Sequence, residues 1–314
     1  MSDPTVTMAS ERTPEPGPTA GAGPGRPSRR SVSPARQMLL DLVTRPRFAV
    51  PGTLVLLLAV IAVFPGPIAG FFGNGDPLAC DLNRSGLPAG EGHPFGFDIQ
   101  GCDLYAQVIY GARPSITIAV IVTVTSTLVA MALGLVAGYY GGVIDTILGR
   151  GIDLFYGFPF MLAAIVILTA LGSHGIWAVS GTMAAFCWPT MTRVMRASVL
   201  ATRKLDYVKA ARALGASDLR IMVRHILPNA FAPVLVLASL TVGGIIAGEA
   251  SLTYLGVGLR APSISWGVQL NTAQSYFNSN PNLLIYPSLF LCVTVLSFVL
   301  VGDAVRDILD PKSR

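Results

Sequence analysis

Residues 154–192 read LFYGFPFMLAAIVILTALGSHGIWAVSGTMAAFCWPTMT, a stretch with no acidic or basic side chain except His174. About 20 helical residues cross a hydrocarbon core about 30 Å thick. The stretch is therefore too long for one span and divides into two, 154–172 and 176–192, at the turn Gly172-Ser173-His174-Gly175. Working outward, four more apolar runs of span length lie at 48–72, 114–139, 229–258 and 283–302. Pro51 sits near the start of the first, and Pro65 and Pro67 are expected to bend its far end. The reading is an all-α polytopic membrane protein with six transmembrane helices.

Composition agrees. Of 314 residues, 52% are apolar and only 12% are charged, about half the roughly 25% of a soluble domain. The excess of 22 Lys and Arg over 17 Asp and Glu would suit nucleic acid if it formed a stripe on a soluble surface. In a chain of spans it sets orientation instead, and no nucleic-acid partner is expected. With the N-terminus inside, segments 1–47, 140–153, 191–228 and 303–314 carry seven, one, eight and three basic residues, leaving Arg84, Arg113 and Arg260 outside. Both termini are thus placed in the cytoplasm.

Four regions follow. Residues 1–47 are read as a disordered basic cytoplasmic tail, because their Pro, Gly, Ser and Thr cannot bury enough surface to offset ordering entropy. Residues 48–314 form the transmembrane domain, with an external loop at 73–112 and a cytoplasmic loop at 191–228. The tail's Ser28-Arg29-Arg30-Ser31 does not make an export signal, since the apolar run that follows is long and has no A-x-A cleavage site.

Signatures of chemistry are missing. Cys80, Cys102, Cys187 and Cys292 lack C-x-x-C pairing, and His93 and His174 stand alone, so no metal site is indicated. No G-x-S-x-G or S-x-x-K motif accompanies a base. None of Lys204, Lys209 and Lys312 follows a glycine, which excludes a P-loop. Enzymatic chemistry and a resident cofactor are not expected, so any energy source lies outside the chain.

The informative polar segment runs from Tyr207 to Asn229, YVKAARALGASDLRIMVRHILPN. Its alanines favour a helix over 206–214, Gly215 supplies a stop, and Ser217 can cap a second helix. In that helix Leu219, Met222, Val223 and Ile226 fall at helical spacing, with Arg220 and Arg224 on another face. Pro228 ends or redirects it where the fifth span begins. Such a helix pair is either a lever gripped by a cytoplasmic partner or a basic loop held against anionic lipid.

The segment resembles the EAA loop of permease subunits of ABC importers. Ala210-Ala211, Gly215 and Leu227-Pro228 match its pattern, while Lys209 stands where Glu is usual and His225 where Ile is common. The Lys209 departure bears only on the local pairing of the usual Glu. His225-Ile226-Leu227-Pro228-Asn229 is typical of the dipeptide/oligopeptide branch. His93-Pro94-Phe95-Gly96-Phe97-Asp98, Gly138-Tyr139-Tyr140-Gly141-Gly142, Glu249-Ala250-Ser251-Leu252-Thr253-Tyr254-Leu255-Gly256 and Ser265-Trp266-Gly267 also resemble that branch's C-type subunit, in order, over roughly 93–314.

This resemblance implies a type I ABC importer permease-like fold in the cell membrane. Its partners would be a second permease in a heterodimer, two ATP-binding subunits or domains that hold ATP and Mg, and an external substrate-binding protein delivering a peptide. It assigns ATPase coupling to Lys209, Ala210, Ala211, Gly215, Ser217, Asp218, His225, Leu227 and Pro228. The family tends to have Arg where this chain has Cys102, and Cys80 lies on the same external loop. In an oxidising compartment the two could form a disulfide, or both stay free.

Two features inside the spans remain. Gly134, Gly138 and Gly142, and Gly244 and Gly248, recur every four residues, which suits close helix packing or the wall of a pathway. Glu249 is the one carboxylate well inside an apolar run, a candidate pathway or gating residue unless it caps the helix that follows. An ion-gradient-driven transporter is the rival reading, and would show paired acids and broken helices at mid-membrane. A scaffold that carries nothing is a third.

Overall fold

The computed structural model describes residues 46–73 and 75–309. The expected disordered tail falls almost wholly outside the described residues, as do positions 310–314. Twelve helices are labelled in chain order: α1 Pro46–Val63, α2 Pro65–Ala69, α3 Leu104–Tyr140, α4 Gly142–Tyr156, α5 Phe160–Leu171, α6 Ile176–Thr202, α7 Asp206–Ala213, α8 Asp218–Arg220, α9 Leu227–Ala230, α10 Ala232–Tyr254, α11 Trp266–Ala273 and α12 Asn282–Leu309. A π-helical turn, Ile221–Ile226, joins α8 to α9. Among the described residues there are isolated β-bridges but no β-strand.

Three of these helices, α3, α10 and α12, are long and apolar enough to cross a membrane, and four elements qualify if α4 and α5 count as one broken span. The expected span 154–172 is not a single rod. Its first three residues belong to α4, and the chain turns by 85° before α5, where Pro159 provides the cap of the new helix. A charge-free stretch keeps the same apolar character across such a break, so only Pro159 marks it. The segment 140–153, expected between the second and third spans, is mostly helix as well. The helix α6 is 27 residues long, yet its Ser, Thr and Pro and its Arg193 and Arg196 dilute its apolar character. In α1 the apolar helix Ala49–Val63 is shorter than a span.

The helix α3 organises the bundle. Its 37 residues amount to about 55 Å at 1.5 Å per residue, and it starts well before the expected 114. Asp103 caps it, its Oδ1 accepting from the amides of Tyr105 (2.9 Å) and Ala106 (3.2 Å). Against α3 packs α6, and glycines set how near they come. A Cβ added to Gly134 would stand 2.7 Å from the Met195 Cβ, and one on Gly138 2.7 Å from the Val199 Cβ. The helices α10 and α12 meet in the same manner, Gly243 lying on the Val295 carbonyl and Gly302 on Leu240.

The two ends of α3 carry different structures. Near Leu104 lies a cap made of the loop before α3, with Cys80 and Cys102 joined as a disulfide, and of the segment around α11. Near Tyr140 lies the hairpin of α7 and α8–α9.

Candidate functional site: a helical hairpin anchored on three helices

The hairpin starts from local rules. Ala210, Ala211 and Ala213 favour helix in α7, and Lys209 donates to Asp206 across one turn (2.9 Å). That ammonium holds the Asp206 carboxyl below the usual carboxylate range. Lys209 thus makes a local ion pair in the position where the resemblance has Glu.

The helix ends at Gly215, whose φ of +81° is disfavoured for any side chain with a Cβ. The amide of Ala216 donates to the Ala211 carbonyl (3.1 Å) and that of Gly215 to Arg212 (3.0 Å), the Schellman pattern of helix termination. Ser217 then takes extended backbone at the N-cap position of α8, but its hydroxyl makes no capping bond. Only its carbonyl is engaged, by Ile221 (2.9 Å).

Pro228 does not end the second arm. Proline lacks an N–H and its ring crowds the carbonyl four residues back. The π turn at Ile221–Ile226 widens the helix ahead of it, and helix resumes in α9. The His225 carbonyl accepts from Asn229 Nδ2 (2.9 Å) and the Tyr207 hydroxyl (3.4 Å).

Packing divides the hairpin into two sides. Val208, Ile221, Met222 and Ile226 are buried in one cluster with Leu135 and Tyr139 of α3, Met191, Met195 and Val199 of α6, and Val234 of α10. Leu219 and Val223, expected on the same face as Met222 and Ile226, are exposed instead, as is Leu214 at 88%. The inner side is therefore fused to three long helices, and the outer side presents apolar and basic side chains, Arg220 and Arg224 among them.

Ion pairs brace the same end. Both oxygens of Asp145 on α4 accept from Arg196 on α6, the Nη2 bond measuring 2.6 Å. The guanidinium holds the Asp145 carboxyl below its ordinary range. Arg193 binds Asp153 (2.6 Å) and lies over the Tyr156 ring. Asp145 and Asp153 are thus both paired, and these pairs link positions 40 and 51 apart in sequence.

Glu249 lies in another part of the fold, fully buried near the far end of α10. Its Oε2 accepts from the Ser115 hydroxyl of α3 (2.9 Å) and its Oε1 from Thr253 (2.9 Å). Next to this clasp, Trp266 is buried and donates its indole N–H to the Val108 carbonyl (2.9 Å). The structure thus brings Lys209 through Pro228 together at one end, with Glu249 and the Cys80–Cys102 pair apart from them. Gly134 and Gly138 lie in the α3–α6 seam, Gly248 faces Met183, and Gly244 has open space around it. No group of three His, Cys, Asp or Glu side chains that could hold a metal occurs among the described residues.

Sequence reading missed Tyr139, Arg212, Ser115 and Trp266 as partners of these sites. Tyr139 and Tyr140 are adjacent and alike, and nothing local says that the first turns inward while the second is 50% exposed.

Membrane-length helices and a hairpin packed into their ends define a helical membrane protein. The family model described as binding-protein-dependent transport system inner membrane component matches residues 130–314. The chain belongs to that family and is an inner-membrane component. Among its relatives, the oligopeptide transport system permease protein OppC of Bacillus subtilis is 33% identical over 287 residues, 91% of this chain and 92% of that protein. The glutathione transport system permease protein GsiD of Pectobacterium atrosepticum is 35% identical over 266 residues, 83% and 85% of the two chains. A chain of the MetNI methionine ABC transporter in inward-facing conformations shares the fold, with a TM-score of 0.52 at 18% identity over 64% of this chain and 96% of that one.

Proposed function

We propose that this chain is the transmembrane permease subunit of an ATP-driven ABC importer for dipeptides or oligopeptides. It forms half of the translocation pathway, with six spans and both termini in the cytoplasm, beside a second permease. Two ATP-binding subunits that hold ATP and Mg attach to the 206–228 hairpin, and an external binding protein delivers the peptide. The observation that carries this reading is the hairpin itself. Its EAA-like sequence has one side packed on α3, α6 and α10 and the other side exposed, the form needed to pass a push from outside into the bundle.

In this cycle ATP binding closes the partner subunits, the hairpin follows them, and the spans turn from inward-facing to outward-facing. Hydrolysis and product release reverse the change. The hairpin must contact the partners differently in the two states, because equal contact shifts no equilibrium. Gly134, Gly138 and Gly248 supply small-residue surfaces on which helices pack or slide, Gly244 presents an open one to the pathway, and Glu249 holds the external end as a gating clasp. Hydroxyls surround Glu249, unlike the paired acids of an ion-driven carrier.

Gly215→Pro cannot adopt a φ of +81°, and an acidic side chain at Ala211 would alter the face beside it. Both variants are expected to insert and assemble in the reconstituted complex and to lose peptide uptake. Normal uptake by assembled variants would contradict the coupling assignment.

A further inference from the structure

Tyr139 is the penultimate residue of α3, 6% exposed. Its hydroxyl lies between the arms of the hairpin. It donates to Asp218 Oδ1 at the start of α8 (2.5 Å) and accepts from Arg212 Nη2 near the end of α7 (2.9 Å). A phenol has one proton and two lone pairs, so one oxygen serves both arms. The Arg212 guanidinium also sits over the Tyr139 ring, 5.5 Å from its centroid.

Backbone bonds tie the residue in a second direction. Arg203, just past the end of α6, donates from Nη1 to the carbonyls of Gly138 (2.9 Å) and Tyr139 (2.8 Å). These belong to the final turn of α3, whose carbonyls lack helical partners. Gly138 meanwhile seats that turn on Val199. The Tyr139 backbone is therefore fixed to the α3–α6 pair, and its hydroxyl to both hairpin arms. Both side-chain hydrogen bonds that join α3 to the hairpin among the described residues end on this one oxygen. The Tyr139 side chain packs in the cluster of Leu135, Met195, Val208 and Met222, while Arg212 and Asp218 are exposed.

We infer that the Tyr139 hydroxyl is the joint through which displacement of the hairpin is transmitted to α3 and α6. Apolar contact alone would let the hairpin slide, whereas a phenol bonded to both arms makes the arms and the helix end move as one body. This inference rests on the coupling role proposed for the hairpin, and it makes Tyr139 a positioning residue with Arg212 and Asp218 as its partners.

The test uses the full complex in vesicles with the loaded binding protein, and reads peptide uptake per ATP hydrolysed. Tyr139→Phe keeps the ring and removes both bonds. The complex is expected to assemble and hydrolyse ATP while the ratio falls by about tenfold. Arg212→Leu, at an exposed position, should lower the ratio as well, and the double variant should fall no further than Tyr139→Phe alone, since both act on one oxygen. A purely structural role would reduce assembly and leave the ratio unchanged. A ratio within about twofold of the parent in assembled Tyr139→Phe, or in Arg212→Leu if the first variant fails to assemble, overturns the inference. If Gly215→Pro abolishes uptake while these variants keep the ratio, the joint alone is wrong. Should Gly215→Pro transport normally, the hairpin reading fails and the joint with it.

Discussion

A buried carboxylate persists only while its oxygens are bonded, and at Glu249 the donors come from Ser115 and Thr253. Glu249→Ala would leave those hydroxyls without their acceptor and open a cavity. The expected loss is roughly 2–4 kcal/mol, read as a lower thermal midpoint in detergent, with Glu249→Gln losing less because it keeps an acceptor. The acid itself was legible, as one charge in a long apolar run. Its clasp was not, because Ser115 lies 134 positions away. Glycine patterns show the same limit. Gly134 and Gly138 recur every four residues and do seat a helix, whereas Gly244 recurs with Gly248 and meets nothing within 4 Å. Its neighbour Gly243, off that register, makes the close contact. Gly138→Val is therefore expected to cost about 1–3 kcal/mol through overpacking, and Gly244→Ala, mid-helix with open space, not to lower the thermal midpoint.

Elements were legible where local chemistry decides them. The left-handed Gly215 and the alanines before it place the hairpin's corner, and Tyr207–Asn229 stands out because it is polar between apolar runs. The widened π turn before Pro228 was not legible, since it depends on how the chain relieves the proline within a packed bundle. Nor was the split of Leu219 and Val223 from Met222 and Ile226, which only the neighbouring helices settle. The α4 brace belongs to this scale too. Because Arg196 lowers the Asp145 pKa, the pair's stabilisation is complete above the ordinary carboxylate value of 3.8. It is lost as pH falls through the lower folded-state value. Following the thermal midpoint from neutral pH into the acid range, Asp145→Asn should lose less on acidification than the parent. Parallel curves would show that the pair contributes nothing.

For the whole molecule, composition and the placement of Lys and Arg point to a membrane protein before any motif is considered, and family membership agrees. The number of spans is harder to read from length alone. In α6, Ser, Thr and Arg are mixed into a long helix, and α4 and α5 meet at 85°, so apolar length and helix identity part company. Function is less local still, because the hairpin's outer side ends in exposed Leu214, Leu219 and Val223, which acquire meaning only against a partner. The most direct test of that account is peptide uptake into vesicles that contain this chain, a second permease and the ATP-binding subunits, with the binding protein supplied on the external side. Uptake should require ATP and all partners and should survive collapse of ion gradients by ionophores. Uptake by this chain alone, insensitive to ATP and abolished by the ionophores, would contradict it.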